Sequence, residues 1–133
     1  MSVVVFILAI GVGRYLTQGI FSSSISPQSK VEIINGAVRD AKASMVLPSH
    51  LDSVTTLTDI TAEPDAIRYH YTLSNADVSN LSNDYLKNYL KTNICETAET
   101  KNLLNRDINM EYSYIVENTT QSYFVSFNKA DCL

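Results

Sequence analysis

Few side chains in this 133-residue chain could do chemistry. His50 and His70 are its two histidines, and so its candidates for a general base near neutral pH. A small hydrolase built on either would also need an Asp and a Ser or Tyr nearby, and the chain has many of each. It has no Gly-x-Ser-x-Gly elbow to mark a nucleophile. Neither histidine forms a His-x-x-x-His pair or sits beside a cysteine, so the ligand spacing argues against zinc. Three of the four glycines (Gly11, Gly13, Gly19) lie in the first twenty residues, which leaves no glycine-rich loop to cradle a phosphate. Glu63 and Asp65 flank a turn at Pro64, a pattern typical of solvated carboxylates. His50, just after Pro48, reads as a loop residue, and His70, between Tyr69 and Tyr71, reads as lying on a polar face near Arg68. No catalytic residue, cofactor or metal is assigned.

The tyrosines and cysteines are more informative. Tryptophan is absent, but there are eight tyrosines, and a phenol combines a large apolar area with a polar tip. Tyr69, Tyr71, Tyr112 and Tyr114 alternate with other residues in two strand-like segments. They form either a core whose hydroxyls reach the rim or the lining of a groove for a ligand or partner. Cys95 and Cys132 are far apart, unlike the close pairs of zinc sites or of redox-active thiols. A disulfide is the better reading given the apolar leader, and two reduced cysteines are the alternative. Asn80-Leu81-Ser82 and Asn118-Thr119-Thr120 match glycosylation sequons, which matters only in a eukaryotic secretory route.

Charge narrows the classes of function. The formal net charge is −4 and the isoelectric point about 5.0. With Arg14 set aside, nine Lys/Arg face fourteen Asp/Glu, and no basic run occurs, which argues against a nucleic-acid partner. Residues 3–12 are apolar without a break. One reading of residues 1–24 is an anchor running from Val3 through Phe6, Leu8 and Arg14 to Phe21. Nineteen helical residues at roughly 1.5 Å each span about 28 Å, near the hydrocarbon thickness, and Arg14 could snorkel or face a partner helix. The other reading is a signal peptide cleaved near Ser22 or Ser24. A soluble N-terminal core element is a third.

The remaining residues, 25–133, read as a single α+β domain. Ser29-Lys30-Val31-Glu32 matches a capping box, with Ser26-Pro27 as an alternative start one turn earlier, and opens a helix whose apolar stripe is Val31, Ile34, Val38, Ala41 and Met45, with Leu47-Pro48 ending it. Residues 53–62 are rich in β-branched types and read as a strand with imperfect alternation, as a bulge produces. After a turn at Glu63-Pro64-Asp65-Ala66, residues Ile67, Tyr69, Tyr71 and Leu73 face one side of a second strand. Residues 77–94 predict a helix with Val78, Leu81, Tyr85, Leu86, Tyr89 and Leu90 inward and with Asn75, Ser79 and Ser82 as alternative starts, and a short helix follows over 97–105. Ile108, Met110, Tyr112, Tyr114 and Val116, then Tyr123, Val125 and Phe127, predict a closing hairpin with a polar loop at Glu117–Gln121. The expected fold is an N-terminal apolar helix, then α-β-β-α-α-β-β with a four-stranded antiparallel sheet and helices on its apolar face.

Leu47-Pro48, Leu51-Asp52, Thr55 and Leu57, then Tyr69-His70-Tyr71-Thr72-Leu73 and Asp131-Cys132, with Gly13-Arg14 in the leader, resemble a loose group of small bacterial envelope proteins. Members of that group combine a membrane leader with a compact α+β domain closed by a late cysteine. The resemblance covers roughly residues 30–132 and implies a location and a fold, with no catalytic residues to carry over. Type IV pilin-like subunits also combine an apolar helix, an antiparallel sheet and a C-terminal disulfide loop. This chain departs from them in its short apolar run, in the lack of a glutamate after the start of that run, and in the Ser-rich linker with Pro27. The expectation is a non-enzymatic interaction module on the outer side of the bacterial inner membrane. Residues 3–21 would hold it there, and it would bind another envelope protein through its sheet or an exposed strand edge. A secreted periplasmic product of the same chain, a carrier of a small apolar ligand, or a hydrolase using His50 or His70 are the other readings.

Overall fold

The computed structural model describes residues 29–133. The expected apolar helix containing Val3, Phe6, Leu8, Arg14 and Phe21 lies outside them. Among the described residues no helix is long and apolar enough to cross a membrane.

Helix α1 (Lys30–Ala43) begins at a complete capping box. The Glu32 amide donates to Ser29 Oγ at 3.2 Å, and the Ser29 amide donates to Glu32 Oε1 at 3.1 Å. These bonds satisfy two amides that the first turn would otherwise leave unpaired. Its buried face is Ile33, Ile34, Ala37 and Ala41, so the helix is rotated from the expected stripe and Val31 is exposed. The two alanines let the helix lie close over β2 (Thr55–Glu63), its main neighbour.

Among the described residues the sheet has five strands in the order β1-β2-β3-β4-β5, namely β1 (Ser49–His50), β2, β3 (Ala66–Leu73), β4 (Asn109–Val116) and β5 (Ser122–Phe127). The four-stranded, wholly antiparallel sheet expected from sequence is therefore incorrect on two counts. First, the Ser49–His50 segment pairs with Leu57 and Thr56, adding an edge strand of two residues, too short to show any alternation. Second, β3 and β4 run parallel, from Ala66 opposite Asn109 to Leu73 opposite Val116. Between them lie α2 (Asn83–Glu96) and α3 (Ala98–Asn105). A two-helix crossover of this length carries the chain back to the end of the sheet from which β3 started, and this produces a parallel pair. The two hairpins, β2–β3 and β4–β5, are antiparallel.

The bulge in β2 lies at Thr58, because Leu57 pairs with Tyr71 while Asp59 pairs with His70. Leu57 and Ile60 are three residues apart and would face opposite sides of a regular strand. The extra residue turns both into the core. Helix α2 begins at Ser82, the last of the three starts the sequence offers, whose Oγ accepts from the Tyr85 amide at 3.0 Å. The preceding Asp77 instead closes its own turn on Ser79. Leu86, Leu90 and Ile94 are the buried face of α2. Tyr85 and Tyr89, expected inward, stack on its flank at 6.3 Å and are 46% and 38% exposed.

Candidate interaction surface

The four candidate tyrosines alternate with the open-face residues of β3 and β4. Parallel pairing sets Tyr69 beside Tyr112 and Tyr71 beside Tyr114. The rings form a stacked ladder on the covered side of the sheet: Tyr69–Tyr112 at 5.3 Å, Tyr112–Tyr71 at 6.4 Å and Tyr71–Tyr114 at 4.8 Å, with Phe127 edge-on to Tyr112 at 6.1 Å. None is more than 3% exposed, so the ladder is the centre of the core rather than an open groove. Burial pushes all four phenols well above their ordinary ionisation range, and the neighbouring phenols raise Tyr69, Tyr71 and Tyr114 further. The hydroxyls of Tyr69 and Tyr71 are buried without a hydrogen-bond partner among the described residues.

Helices α1, α2 and α3 pack on the tyrosine side, and the opposite face carries the polar residues of the alternation. There Arg68 reaches across β4. Its Nε donates to Glu111 Oε1 at 2.8 Å, its Nη2 lies 3.9 Å from Glu63 Oε1, and its guanidinium carbon stands 5.2 Å above the Phe124 ring. Phe124 is 43% exposed, and Ile115, one strand across and two rows away in register, is 53% exposed. These two exposed apolar side chains share the open face with a network of one cation, Arg68, and two carboxylates, Glu63 and Glu111.

The histidines lie on different strands and bond different threonines. His50 Nδ1 is 2.9 Å from Thr56 Oγ1, and His70 Nε2 is 2.8 Å from Thr61 Oγ1. Thr61 Oγ1 also donates to Glu63 Oε2 at 2.8 Å. A hydroxyl has one proton, and here it goes to the carboxylate, so His70 Nε2 must be the donor to Thr61. That arrangement is the reverse of a base activating a nucleophile. The histidine-based hydrolase anticipated as an alternative thus finds no nucleophile–base pair at His70. Asp59 sits opposite His70 and pairs with Lys42 at 3.0 Å. Partial burial raises its carboxyl, but the Lys42 bond and the Ile60 amide outweigh this and hold it below its usual range. Among the described residues no group of three or more His, Cys, Asp or Glu side chains could hold a metal.

Cys95, near the end of α2, is joined by a disulfide to Cys132, with the Cα atoms 5.3 Å apart. This ties a short 3-10 helix (Lys129–Cys132) against α2 and α3. Asp131 and Asn128 cap that helix reciprocally, and Lys87 pairs with Asp131 at 3.1 Å while lying 5.4 Å above the Phe127 ring. Sequence reasoning missed the Asn83 contact at the edge of the sheet. Asn83 Oδ1 accepts the Phe124 amide at 3.0 Å. No sequence signal pairs a residue at a helix start with a strand 41 positions later.

The sequence matches no protein-family model and no curated protein. In architecture the chain is similar to small α+β proteins of bacteria. A crystal structure of a Pseudomonas aeruginosa protein described as secreted superposes with a TM-score of 0.69 at 16% identity, covering 81% of this chain and all of that one. The pilotin EpsS of the Vibrio vulnificus type 2 secretion system superposes with a TM-score of 0.57 at 12% identity, covering 92% of this chain and 96% of that one. At these identities the likeness is one of fold.

Proposed function

We propose that this chain is a non-enzymatic interaction module of the bacterial cell envelope, working outside the cytoplasm and binding an envelope protein of a secretion assembly. In this reading residues 1–24 are the anchor or signal segment and linker, and residues 25–133 are the extracytoplasmic domain. Residues 3–21 hold it at the inner membrane. The observation that carries the proposal is the face of the sheet that no described helix covers, where Phe124 and Ile115 stand exposed and Arg68 bonds Glu111. Exposed aromatic and aliphatic side chains beside an arginine held by carboxylates are the makings of a binding hot spot. Support for the compartment comes from the Cys95–Cys132 disulfide, a bond that persists in oxidising surroundings. The same fold occurs in a protein described as secreted and in a secretion pilotin.

The test combines fractionation with capture. The tagged full chain, expressed in a bacterium, is expected in the membrane fraction with its first residues intact and two hydrogens lighter than its reduced mass. It should recover a defined envelope protein, and a Phe124→Ser/Ile115→Ser double variant with unchanged circular dichroism should recover at least about tenfold less, as losing two hot-spot side chains implies. A cytoplasmic, uncleaved protein with both thiols free would overturn the reading. So would equal recovery by the double variant.

A further inference from the structure

We propose that the outer edge of β5 is the docking site for an extended peptide segment of a partner protein. This segment would join the sheet as a sixth strand and take the Phe124 amide from Asn83. The inference rests on reading the domain as an interaction module and names the partner's chemistry. The ladder register defines which groups face outward. The Val116 amide bonds the Gln121 carbonyl, and Tyr114–Tyr123, Tyr112–Val125 and Met110–Phe127 follow in phase with it. The amides of Tyr123, Val125 and Phe127 therefore turn toward β4, and those of Ser122, Phe124 and Ser126 turn away from the sheet. The middle one meets Asn83 Oδ1, an amide oxygen standing where the carbonyl of a neighbouring strand would stand. The amides of Ser122 and Ser126 have no hydrogen-bond partner among the described residues.

The two edges of the sheet are treated differently. At one, β1 is two residues long, and the uncovered part of β2 carries a bulge and the charges of Asp59 and Glu63, devices that discourage strand pairing. At the other, Ser122-Tyr123-Phe124-Val125-Ser126-Phe127 has no charge, no proline and no bulge. A second copy of this chain is a poor occupant. Helix α2 packs over β5, and continuing the sheet across a two-fold axis would bring the partner's α2 onto the same place. A lone extended peptide brings no helix. Its side chains on the open face would meet Phe124, so apolar residues at alternate positions suit it.

The experiment uses the full chain in detergent and a fluorescein-labelled, end-blocked Thr-Val-Thr-Val-Thr peptide, read by anisotropy, with amide hydrogen exchange locating the site. Asn83→Ala removes the internal competitor and should tighten binding about fivefold, the equivalent of one ordinary hydrogen bond. Asn83→Asp keeps an acceptor and should not tighten it. Ser126→Pro deletes an outward amide that β4 does not use, a substitution edge strands accept, and should weaken binding at least tenfold while leaving the melting temperature in place. Protection on binding should be confined to residues 122–126. Binding that ignores either Asn83→Ala or Ser126→Pro, protection elsewhere, or no binding even to Asn83→Ala would overturn the proposal. If a native partner is recovered equally by the Ser126→Pro variant, the edge proposal fails and the interaction module stands. Edge binding of the peptide with no envelope protein recovered would have the opposite meaning.

Discussion

Tyr71 carries a hydroxyl into the core, where no described residue hydrogen-bonds it, and Tyr69 does the same. An unpaired buried hydroxyl costs about 1–3 kcal/mol, while the ring that bears it contributes stacking and burial. Tyr69→Phe and Tyr71→Phe should therefore leave stability unchanged or raise it by about 1 kcal/mol in urea unfolding; a loss above that would mean the hydroxyls are satisfied in solution. The same phenols set a limit at high pH. Their folded ionisation lies well above the ordinary value of 10.0 because burial disfavours the charged form. Below pH 10 both folded and unfolded phenols are protonated. Above it the unfolded chain sheds protons that the folded chain keeps, so stability falls as pH rises. Each phenol contributes roughly 1 kcal/mol per pH unit to that fall. Thermal melts across pH 8–11 should show a steep decline beginning near 10 and shallower in Tyr71→Phe; a flat profile would contradict the buried ladder.

At the level of elements, caps and one bulge decide how the helices and strands present their faces. Ser29 and Ser82 each accept an amide of the first turn that follows. Replacing either with alanine should cost about 1 kcal/mol, and the double variant should lose close to the sum because the caps are remote from one another. The Thr58 bulge makes a less obvious prediction. Deleting Thr58 leaves Leu57, Asp59 and Ile60 in regular alternation, with Leu57 and Ile60 still inward. The deletion forfeits the Thr58 hydroxyl bond to the His70 carbonyl at 3.0 Å. It should fold and lose no more than about 1.5 kcal/mol, the net worth of one hydrogen bond. Failure to fold would show that the bulge also sets the twist that α1 packs against.

On the scale of the whole molecule, the disulfide links residues 37 apart in sequence and fastens the C-terminal turn to the crossover helices. Restricting a loop of that length in the unfolded chain contributes about 4 kcal/mol in the chain-entropy model. A Cys95→Ser/Cys132→Ser variant should shift the urea midpoint by the corresponding amount. A shift under about 1 kcal/mol would mean that the Asp131–Lys87 pair and the Asn128–Asp131 caps hold this end unaided.

Local chemistry was legible in the sequence wherever a residue's role depends on its near neighbours. Ser29 and Glu32 form the capping box their spacing implies, the alternation of Tyr69 and Tyr71 puts them on one face, and the broken alternation after Leu57 marks a bulge. What depends on distant pairing was not legible. The direction of β4 against β3 follows from where the two-helix crossover returns the chain, and a hydrophobic alternation reads the same in parallel and antiparallel strands. The strand at Ser49–His50 exists only because β2 offers it a ladder. Helix α2 turns its Leu face down because that face meets the sheet, and this leaves Tyr85 and Tyr89 outside. Asn83 gains its place at the Phe124 amide from the same docking. Near neighbours in sequence determined the helices, the longer strands and the apolar faces of β3 and β4. The tertiary structure decided strand direction, which aromatic rings are buried and which edge of the sheet stays open, because each of these is settled by contacts between residues far apart along the chain.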